Sequence, residues 1–170
     1  MKEISPNQSN IRNNIVYEVN SQTPFTGFVI KHYDTAGIHF KICYKDGVED
    51  GPWEYYYKNG QLEEKGTYKN KKRNGPWETY HDNGQLKEKG TYKDDNLDGP
   101  EEFYYENGQL ELKRIKKNGV ADGPYEMYYD NGQLRKKGTY KNGKLDGPEE
   151  FYYENGQLKE KTFYKDGFST

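Results

Sequence analysis

The sequence has little cysteine, few hydrophobic residues and almost no excess of charge. Its single cysteine, Cys43, excludes an internal disulfide, and no apolar run suits a secretory leader or a membrane span, so we predict a soluble cytoplasmic protein. The formal net charge of −2 argues against a strongly basic nucleic-acid-binding protein. Only 31% of the residues are hydrophobic and the mean hydropathy is −1.35, which argues against a two-layer globule with an aliphatic core.

Aromatic residues are what the chain has in abundance. They make up 16% of the 170 residues, and 18 of them are tyrosines. Disordered chains combine few aromatic residues with high net charge, and neither feature is present here. We therefore predict a folded protein in which tyrosine supplies much of the core.

A 24-residue repeat organises nearly the whole sequence. Gly-Pro recurs every 24 residues from Gly51-Pro52 onwards, and Asn-Gly-Gln-Leu recurs at the same spacing from 59–62 onwards. A degenerate copy, aligned through Gly27 and Ile38, fills 27–50. The spacing predicts a six-copy repeat domain over 27–170, preceded by a disordered N-terminus at 1–14 and a capping strand within 15–26.

Each copy has the pattern of a β-hairpin. Asn-Gly favours a two-residue type I′ turn, because both of its central residues need positive φ. Such a turn in the second copy sets Glu54 opposite Lys65, and this pairing of opposite charges recurs in all five regular copies. The same register sets Trp53 opposite Gly66, so that a large ring lies over a backbone with no Cβ.

Two copies replace the ring, and the opposing glycine changes with it. Glu101 faces Arg114, and Glu149 faces Thr162. Alternation along the strands places these residues on a core-forming face and leaves the other face solvated. The solvated face carries one tyrosine per copy in a ladder formed by Tyr56, Tyr80, Tyr104, Tyr128 and Tyr152.

The repeat unit resembles a known family. Gly-Pro-Trp-x-x-Tyr-Tyr-x-Asn-Gly-Gln-Leu-x-x-x-Gly-x-Tyr-Lys is similar to the MORN-repeat variant of bacterial proteins, over 27–170. The resemblance implies an all-β fold, namely a single-layer curved antiparallel sheet of tandem hairpins whose ring-lined face forms a trough. It also implies roles as antitoxins or immunity proteins beside secreted nucleases or deaminases, or as scaffolds, dimerisation arms or membrane-associated platforms. The fourth copy departs from the pattern at Arg114, which predicts an irregularity there.

Catalysis is the first function to consider. His32 and His39 face each other in the predicted register and could form a two-histidine metal site, but they also fit tyrosine-ladder positions of a degenerate copy. Carboxylates recur on the core-forming face at Glu64, Glu88, Glu101 and Glu149, in repeated positions rather than in one constellation. Since no serine or cysteine accompanies a base, we predict no enzyme, no metal and no cofactor.

Binding to phosphates or nucleic acid is the second function to consider. Basic residues cluster within 69–73 and 113–117, and could hold phosphates beside the aromatic rings. Solvated linkers and strand edges have the same composition, and the near-neutral net charge argues against a continuous basic surface.

Protein binding is the third, because a rigid tyrosine-rich array suits an interface. Positions that vary within a constant frame are where a repeat protein can encode a partner. The candidate partner-binding residues on the core-forming face are Tyr55, Glu64, Glu88, Glu101, Phe103, Arg114, Met127, Lys136, Glu149 and Phe151, and those on the solvated face are the five ladder tyrosines.

The leading hypothesis is an antitoxin or immunity protein that occludes a cognate toxin with the trough and an acidic rim formed by its four carboxylates. One alternative is a scaffold that self-associates through a sheet edge, as a homodimer, or a membrane- or phosphate-binding platform. Another is a phage-derived inhibitor of a different macromolecular machine. The sequence leaves open whether the C-terminal edge of the sheet is capped.

Overall fold

The computed structural model describes residues 1–34 and 36–170, which are almost entirely β-strands and turns. The described chain forms two compact units, Met1–Gly84 and Gln85–Thr170. The first contains β1 (Glu3–Ile4), β2 (Ser9–Arg12), β3 (Ile15–Glu18), β4 (Gly27–His32), β5 (Ile38–Lys45), β6 (Val48–Tyr56), β7 (Leu62–Lys69), β8 (Lys72–Arg73) and β9 (Gly75–Tyr80). The second contains β10 (Leu86–Lys93), β11 (Asn96–Leu97), β12 (Gly99–Tyr104), β13 (Leu110–Lys117), β14 (Val120–Tyr128), β15 (Leu134–Lys141), β16 (Lys144–Leu145), β17 (Gly147–Tyr152), β18 (Leu158–Lys165) and β19 (Phe168–Ser169).

Successive strands pair antiparallel within each unit, which confirms the all-β class and the tandem hairpins. In the first unit β4 to β7 pair in order and β9 follows on β7. In the second unit β12 to β15 pair in order, β10 precedes them on β12, and β17 and β18 follow on β15. From β4 onwards, chain order and spatial order therefore agree within each unit.

The predicted register is confirmed over the middle of the hairpins. Trp53 pairs with Gly66 and Glu54 with Lys65. The Trp53 ring lies on the glycine, since a Cβ added to Gly66 would be 2.5 Å from the Cζ2 atom of Trp53. This contact leaves Trp53 only 2% exposed and explains why a large ring and glycine occur together in the sequence.

The Asn-Gly turn was predicted wrongly. The hairpin loop contains three residues, 58–60, and is closed by the Tyr57 amide, which donates to the Gln61 carbonyl at 2.8 Å. Only Gly60 of the Asn-Gly pair has positive φ, at 85°. The turn is therefore a type I turn followed by a left-handed glycine, which adds a residue to one strand. Because of the resulting bulge, Tyr56 pairs with Leu62 rather than with residue 63.

The two-residue turns with positive φ lie in the links between copies. Asn70 and Lys71 have φ of 49° and 69°, and Lys69 pairs with Lys72 across them. Equivalent turns occur at 46–47, 94–95, 118–119, 142–143 and 166–167. Each link is thus a second hairpin with type I′ geometry, so hairpin follows hairpin through each copy.

The asparagine of the Asn-Gly pair joins one copy to the next. The Asn59 Oδ1 atom accepts the Gln61 amide at 2.9 Å, while its Nδ2 atom donates to the Asp82 carbonyl at 2.9 Å. Beside it the Tyr57 hydroxyl donates to the Tyr80 carbonyl at 2.8 Å. The second unit repeats the tyrosine contact from Tyr105 to Tyr128 and from Tyr129 to Tyr152. These bonds hold the turn tips of adjacent copies at a fixed spacing.

The N-terminal segment departs from the prediction. Residues 1–14, expected to be disordered, form β1, a single turn of 310 helix at Pro6–Gln8 and β2. β1 runs parallel to β4, and β3 pairs with β2 in a separate two-stranded sheet. The reason is a small hydrophobic core of Ile4, Val16, Phe25 and Val29. The otherwise polar segment 1–14 contributes Ile4 to this core.

Substitution of Gly66 by alanine tests the ring-over-glycine contact. We expect Gly66→Ala to lower the free energy of unfolding by about 1–3 kcal/mol, because the new methyl group displaces the Trp53 ring. Denaturant unfolding followed by tryptophan fluorescence measures the change. Thr67→Ala, at the next and exposed position, is the matched control. Equal stability of the two variants contradicts the contact.

Candidate functional site

The variable positions of the second unit form one continuous row across its strands. Each member is the Cα partner of the next in the sheet register. We call this set the variable row; its members are Glu88, Phe103, Leu112, Met127, Lys136, Phe151 and Glu160. The structure therefore brings together five residues that the sequence predicts as contacts, Glu88, Phe103, Met127, Lys136 and Phe151, from widely separated positions in the chain.

The centre of the variable row is apolar. Phe103, Leu112, Met127 and Phe151 are all half-buried, so each presents part of its side chain to solvent. Aromatic residues and methionine are enriched at protein interfaces because they offer a large contact area. Leu112 aligns with Glu64 and Glu88 at the variable position of the copies, and it completes the row between Phe103 and Met127.

The acidic rim predicted from the sequence is wrong for Glu101 and Glu149. Their side chains are only 2% exposed, in the row of positions that rings occupy in other copies. The Glu149 carboxylate accepts a hydrogen bond from the Tyr125 hydroxyl and pairs with the Lys136 ammonium at 2.8 Å. These carboxylates are buried structural groups whose charges are neutralised, because an unpaired buried charge is very costly.

The cations paired with them connect the buried carboxylates to the variable row, of which Lys136 is itself a member. The Arg114 guanidinium bonds to Glu101 and lies 5.2 Å from the centre of the Phe103 ring. The Lys136 ammonium lies 4.8 Å from the centre of the Phe151 ring. Each cation is thus held by a carboxylate below and covers an aromatic ring, which restrains both side chains.

The irregularity predicted in the fourth copy is not specific to that copy. The register between β13 and β14 shifts between Arg114 and Lys116, but β5 and β6 shift in the same way between Ile42 and Tyr44. Burial and the neighbouring Glu149 carboxylate also raise the pKa of Tyr125 on β14 well above its ordinary value. The phenol therefore stays protonated and continues to donate its hydrogen bond at any ordinary pH.

The first unit has a shorter row of the same kind. Phe40, Tyr55, Glu64 and Thr79 are successive Cα partners on β5, β6, β7 and β9. Glu64 is half-buried, and desolvation raises the pKa of its carboxyl group despite the nearby Arg73. The two predicted contacts in this unit, Tyr55 and Glu64, therefore lie side by side.

The tyrosine ladder of the solvated face has its hydroxyls engaged rather than available to solvent. Each hydroxyl donates to the glutamate two residues earlier, in the pairs Tyr56–Glu54, Tyr80–Glu78, Tyr104–Glu102, Tyr128–Glu126 and Tyr152–Glu150. For Tyr56, desolvation and this contact raise the pKa to about 12. The sequence predicts these five residues as solvated contacts, whereas their rings are half-buried and their hydroxyls are bonded within the sheet.

The glutamates of the ladder also join one hairpin to the next. Lys65 lies opposite Glu54 in register, as predicted, but its ammonium reaches forward to Glu78, at 2.8 Å. The same forward contacts are Lys89–Glu102, Lys113–Glu126 and Lys137–Glu150, at 2.7–2.9 Å. In each case the ammonium also lies 5.5–5.9 Å from the ring centre of the tyrosine that bonds the glutamate. The repeated Glu–Lys pattern therefore fixes the junction between hairpins as well as the register within one.

The two-histidine pairing predicted from the sequence is not formed. His32 pairs with Ile38 across a bulge, and His39 stacks on the Tyr33 ring with centroids 4.5 Å apart. Across residues 1–34 and 36–170, no group of three or more His, Cys, Asp or Glu side chains is placed to hold a metal ion. Over the same residues, no helix is long and apolar enough to cross a membrane.

The ladder predicts a pH dependence at Glu150. Contacts with Lys161, Tyr152 and Lys137 lower the pKa of its carboxyl group from 4.5 to about 2. Because the folded-state pKa lies below the ordinary value, the stabilisation is complete above pH 4.5 and is lost as the pH falls towards 2. We expect a carboxyl-carbon NMR titration to show this low pKa, and Lys161→Gln to raise it. Lys159→Gln is the control, and a pKa near 4.5 in the unsubstituted protein contradicts the contacts.

Comparison with solved structures finds only weak likeness. A mutant of S. aureus TarM, in complex with fondaparinux, alpha-GlcNAc-glycerol and UDP, is 10% identical over 70% of this chain, with a TM-score of 0.38. A second TarM structure is 12% identical over 56% of this chain, with a TM-score of 0.35. A GtfA/B complex bound to UDP and GlcNAc is 18% identical over 66%, with a TM-score of 0.26. The matched region spans 20–23% of the length of those chains.

Comparison with known families gives a firmer result. No curated protein matches the sequence. The MORN repeat variant family matches residues 49–70, 73–94, 97–114, 121–142 and 145–166, which together make up more than half of the chain. These segments contain the hairpins from β6 onwards with the ring-over-glycine contact of Trp53 and Gly66, whereas the β4–β5 hairpin lies outside them. The protein is therefore a member of the MORN repeat variant family.

Proposed function

We propose that this protein is a non-enzymatic binding protein whose variable row contacts a protein partner. The partner proposed is a cognate toxin, of the nuclease or deaminase class that the family resemblance implies, and its neutralisation is by occlusion of its active site or substrate surface. The observation that carries the proposal is the continuous row of half-buried side chains from β10 to β17, which ends at the exposed Glu160 of β18.

The row is suited to binding because it is rigid before the partner arrives. Its apolar members lie on paired strands, and the Arg114 and Lys136 cations restrain the rings of Phe103 and Phe151. Restrained side chains lose little conformational entropy on binding, so more of the contact energy is available as affinity.

The buried ion pairs also change the kind of contact proposed. With the charges of Glu101 and Glu149 neutralised, the centre of the row presents apolar side chains rather than a band of carboxylates. The contact therefore relies on burial of apolar surface, and its affinity depends little on salt concentration.

Co-expression with the product of the neighbouring gene tests the function. We expect this protein to rescue growth from a toxic neighbour and to co-purify with it as a stable complex. In a titration of toxin activity with purified protein, inhibition should reach its end point at a fixed stoichiometric ratio. Complete inhibition by a small fraction of that ratio contradicts a non-enzymatic mechanism, and the lack of rescue and complex contradicts the toxin as partner.

Substitutions in the variable row test the surface. We expect Phe103→Ala and Met127→Ala together to weaken the complex by at least 10-fold, since buried anchors dominate interface energetics. The matched control is Thr139→Ala, at an exposed position of the opposite face in the same unit. Calorimetry gives the affinities, and thermal unfolding confirms that the variants fold. Unchanged affinity in the double variant contradicts the variable row as the contact surface.

A further inference from the structure

The junctions between hairpins follow one rule. The second strand of a hairpin presents a lysine, and the next strand pairs antiparallel with it so that a glutamate is the lysine's Cα partner. This register is found for Lys65 with Glu78, Lys89 with Glu102, Lys113 with Glu126 and Lys137 with Glu150. The incoming strand also carries the ladder tyrosine two residues after the glutamate. The rule therefore specifies an extended segment with the pattern Glu-x-Tyr.

The outer edge of β18 has the features of an internal junction, but the described chain supplies no strand there to complete one. β18 pairs with β17 on one side, and on the other only Tyr164 and Lys165 pair with β19. In the described residues, Leu158 to Thr162 have no strand on that side, whereas the equivalent stretch of β7 is paired with β9. About 17 Å of strand edge is available there.

The absence of a neighbouring strand at this edge of the described chain changes the contact that Lys161 makes. It occupies the position of Lys65 and Lys137, but its ammonium turns back to Glu150 of its own hairpin, at 2.8 Å. Glu150 already accepts Lys137 and the Tyr152 hydroxyl. The Lys161 side chain is 41% exposed, so it can turn to an incoming carboxylate while Glu150 keeps its other partners.

The apolar side chains at this edge are exposed to an unusual degree for the chain. Leu158 is 54% exposed, Phe163 is 53% exposed and Phe168 is 74% exposed. The solvated face of the strand adds the exposed Lys159, while the ammonium of Lys165 pairs with Asp146 at 2.9 Å. The edge is therefore cationic with flanking apolar groups, which is complementary to an acidic and aromatic strand.

We propose that the outer edge of β18 binds an extended segment of a protein partner by strand addition. The segment runs antiparallel to β18 and carries a carboxylate opposite Lys161 and a tyrosine two residues later, as each internal junction does. Main-chain hydrogen bonds provide affinity, and the carboxylate and the ring provide selectivity. This site is separate from the variable row, and it does not depend on the proposed function.

A second copy of this chain is a poorer occupant. Two β18 strands can pair antiparallel about a two-fold axis that is perpendicular to the sheet. Such an axis keeps each face of the strand on the same side, so the residues opposite each other are both odd-numbered or both even-numbered. The registers centred on the edge then set Lys161 against Lys161, or Glu160 against Glu160, of the other copy. Like charges directly opposite each other are destabilising.

A peptide of residues 122–130 is the probe, since it contains Glu126 and Tyr128 in the required pattern. We expect this peptide to bind the whole 170-residue protein in fluorescence anisotropy, and to perturb the NMR signals of Leu158–Thr162. Lys161→Glu should weaken binding at least 10-fold, and a peptide with lysine in place of its glutamate should restore binding to that variant.

The control variant is Lys117→Glu, which makes the same change of charge at an exposed position on β13. Thermal unfolding confirms that both variants fold. The proposal is overturned if the peptide does not bind, if Lys161→Glu binds it as tightly as the unsubstituted protein, or if the perturbed signals lie elsewhere. It is also overturned if sedimentation shows a dimer that excess peptide does not dissociate. Because no toxin is used, failure here leaves the proposed function untouched.

Discussion

The sheets of this protein depend on a carboxylate that two other side chains share. A glutamate such as Glu150 accepts a tyrosine hydroxyl from its own strand and a lysine ammonium from the preceding hairpin. Such exposed pairs contribute little one at a time, but the repeat places one at every junction described, together with a lysine over a tyrosine ring. The same spacing aligns the ring-over-glycine contacts and the turn-tip hydrogen bonds. A chain poor in aliphatic residues can therefore hold a regular array by many small, registered contacts.

Two copies carry a buried glutamate in place of the buried aromatic ring. Where Glu101 and Glu149 replace a ring, Arg114 and Lys136 neutralise them, and the same cations restrain the aromatic rings of the variable row. Buried ion pairs are weak evidence for stability, because desolvation offsets most of their attraction. Their consequence here is geometric, since they tie the buried layer of the sheet to the aromatic rings of the variable row.

Internal comparison of the copies predicted the register well and the turns badly. The pairing of Trp53 with Gly66 followed from coupled changes between copies, and the structure reproduces it. The Asn-Gly dipeptide fits both a two-residue turn and a three-residue loop, because either can place the glycine at positive φ, and the loop forms here. The N-terminal segment was missed for another reason. Its average composition is polar, but Ile4 completes a core supplied by Val16, Phe25 and Val29.

The sequence by itself determined the repeat length, the family, the strand pairing within each hairpin and the two alternating faces. These depend on residues close together in the chain and were tested several times by the copies themselves. Tertiary structure decided which charges are buried, which lysine meets which glutamate and which variable residues adjoin one another. Glu149 meets Lys136 and Tyr125 only after neighbouring hairpins pair. Contacts of that kind depend on the distance between strands and on the direction of flexible side chains, and the order of the residues specifies neither.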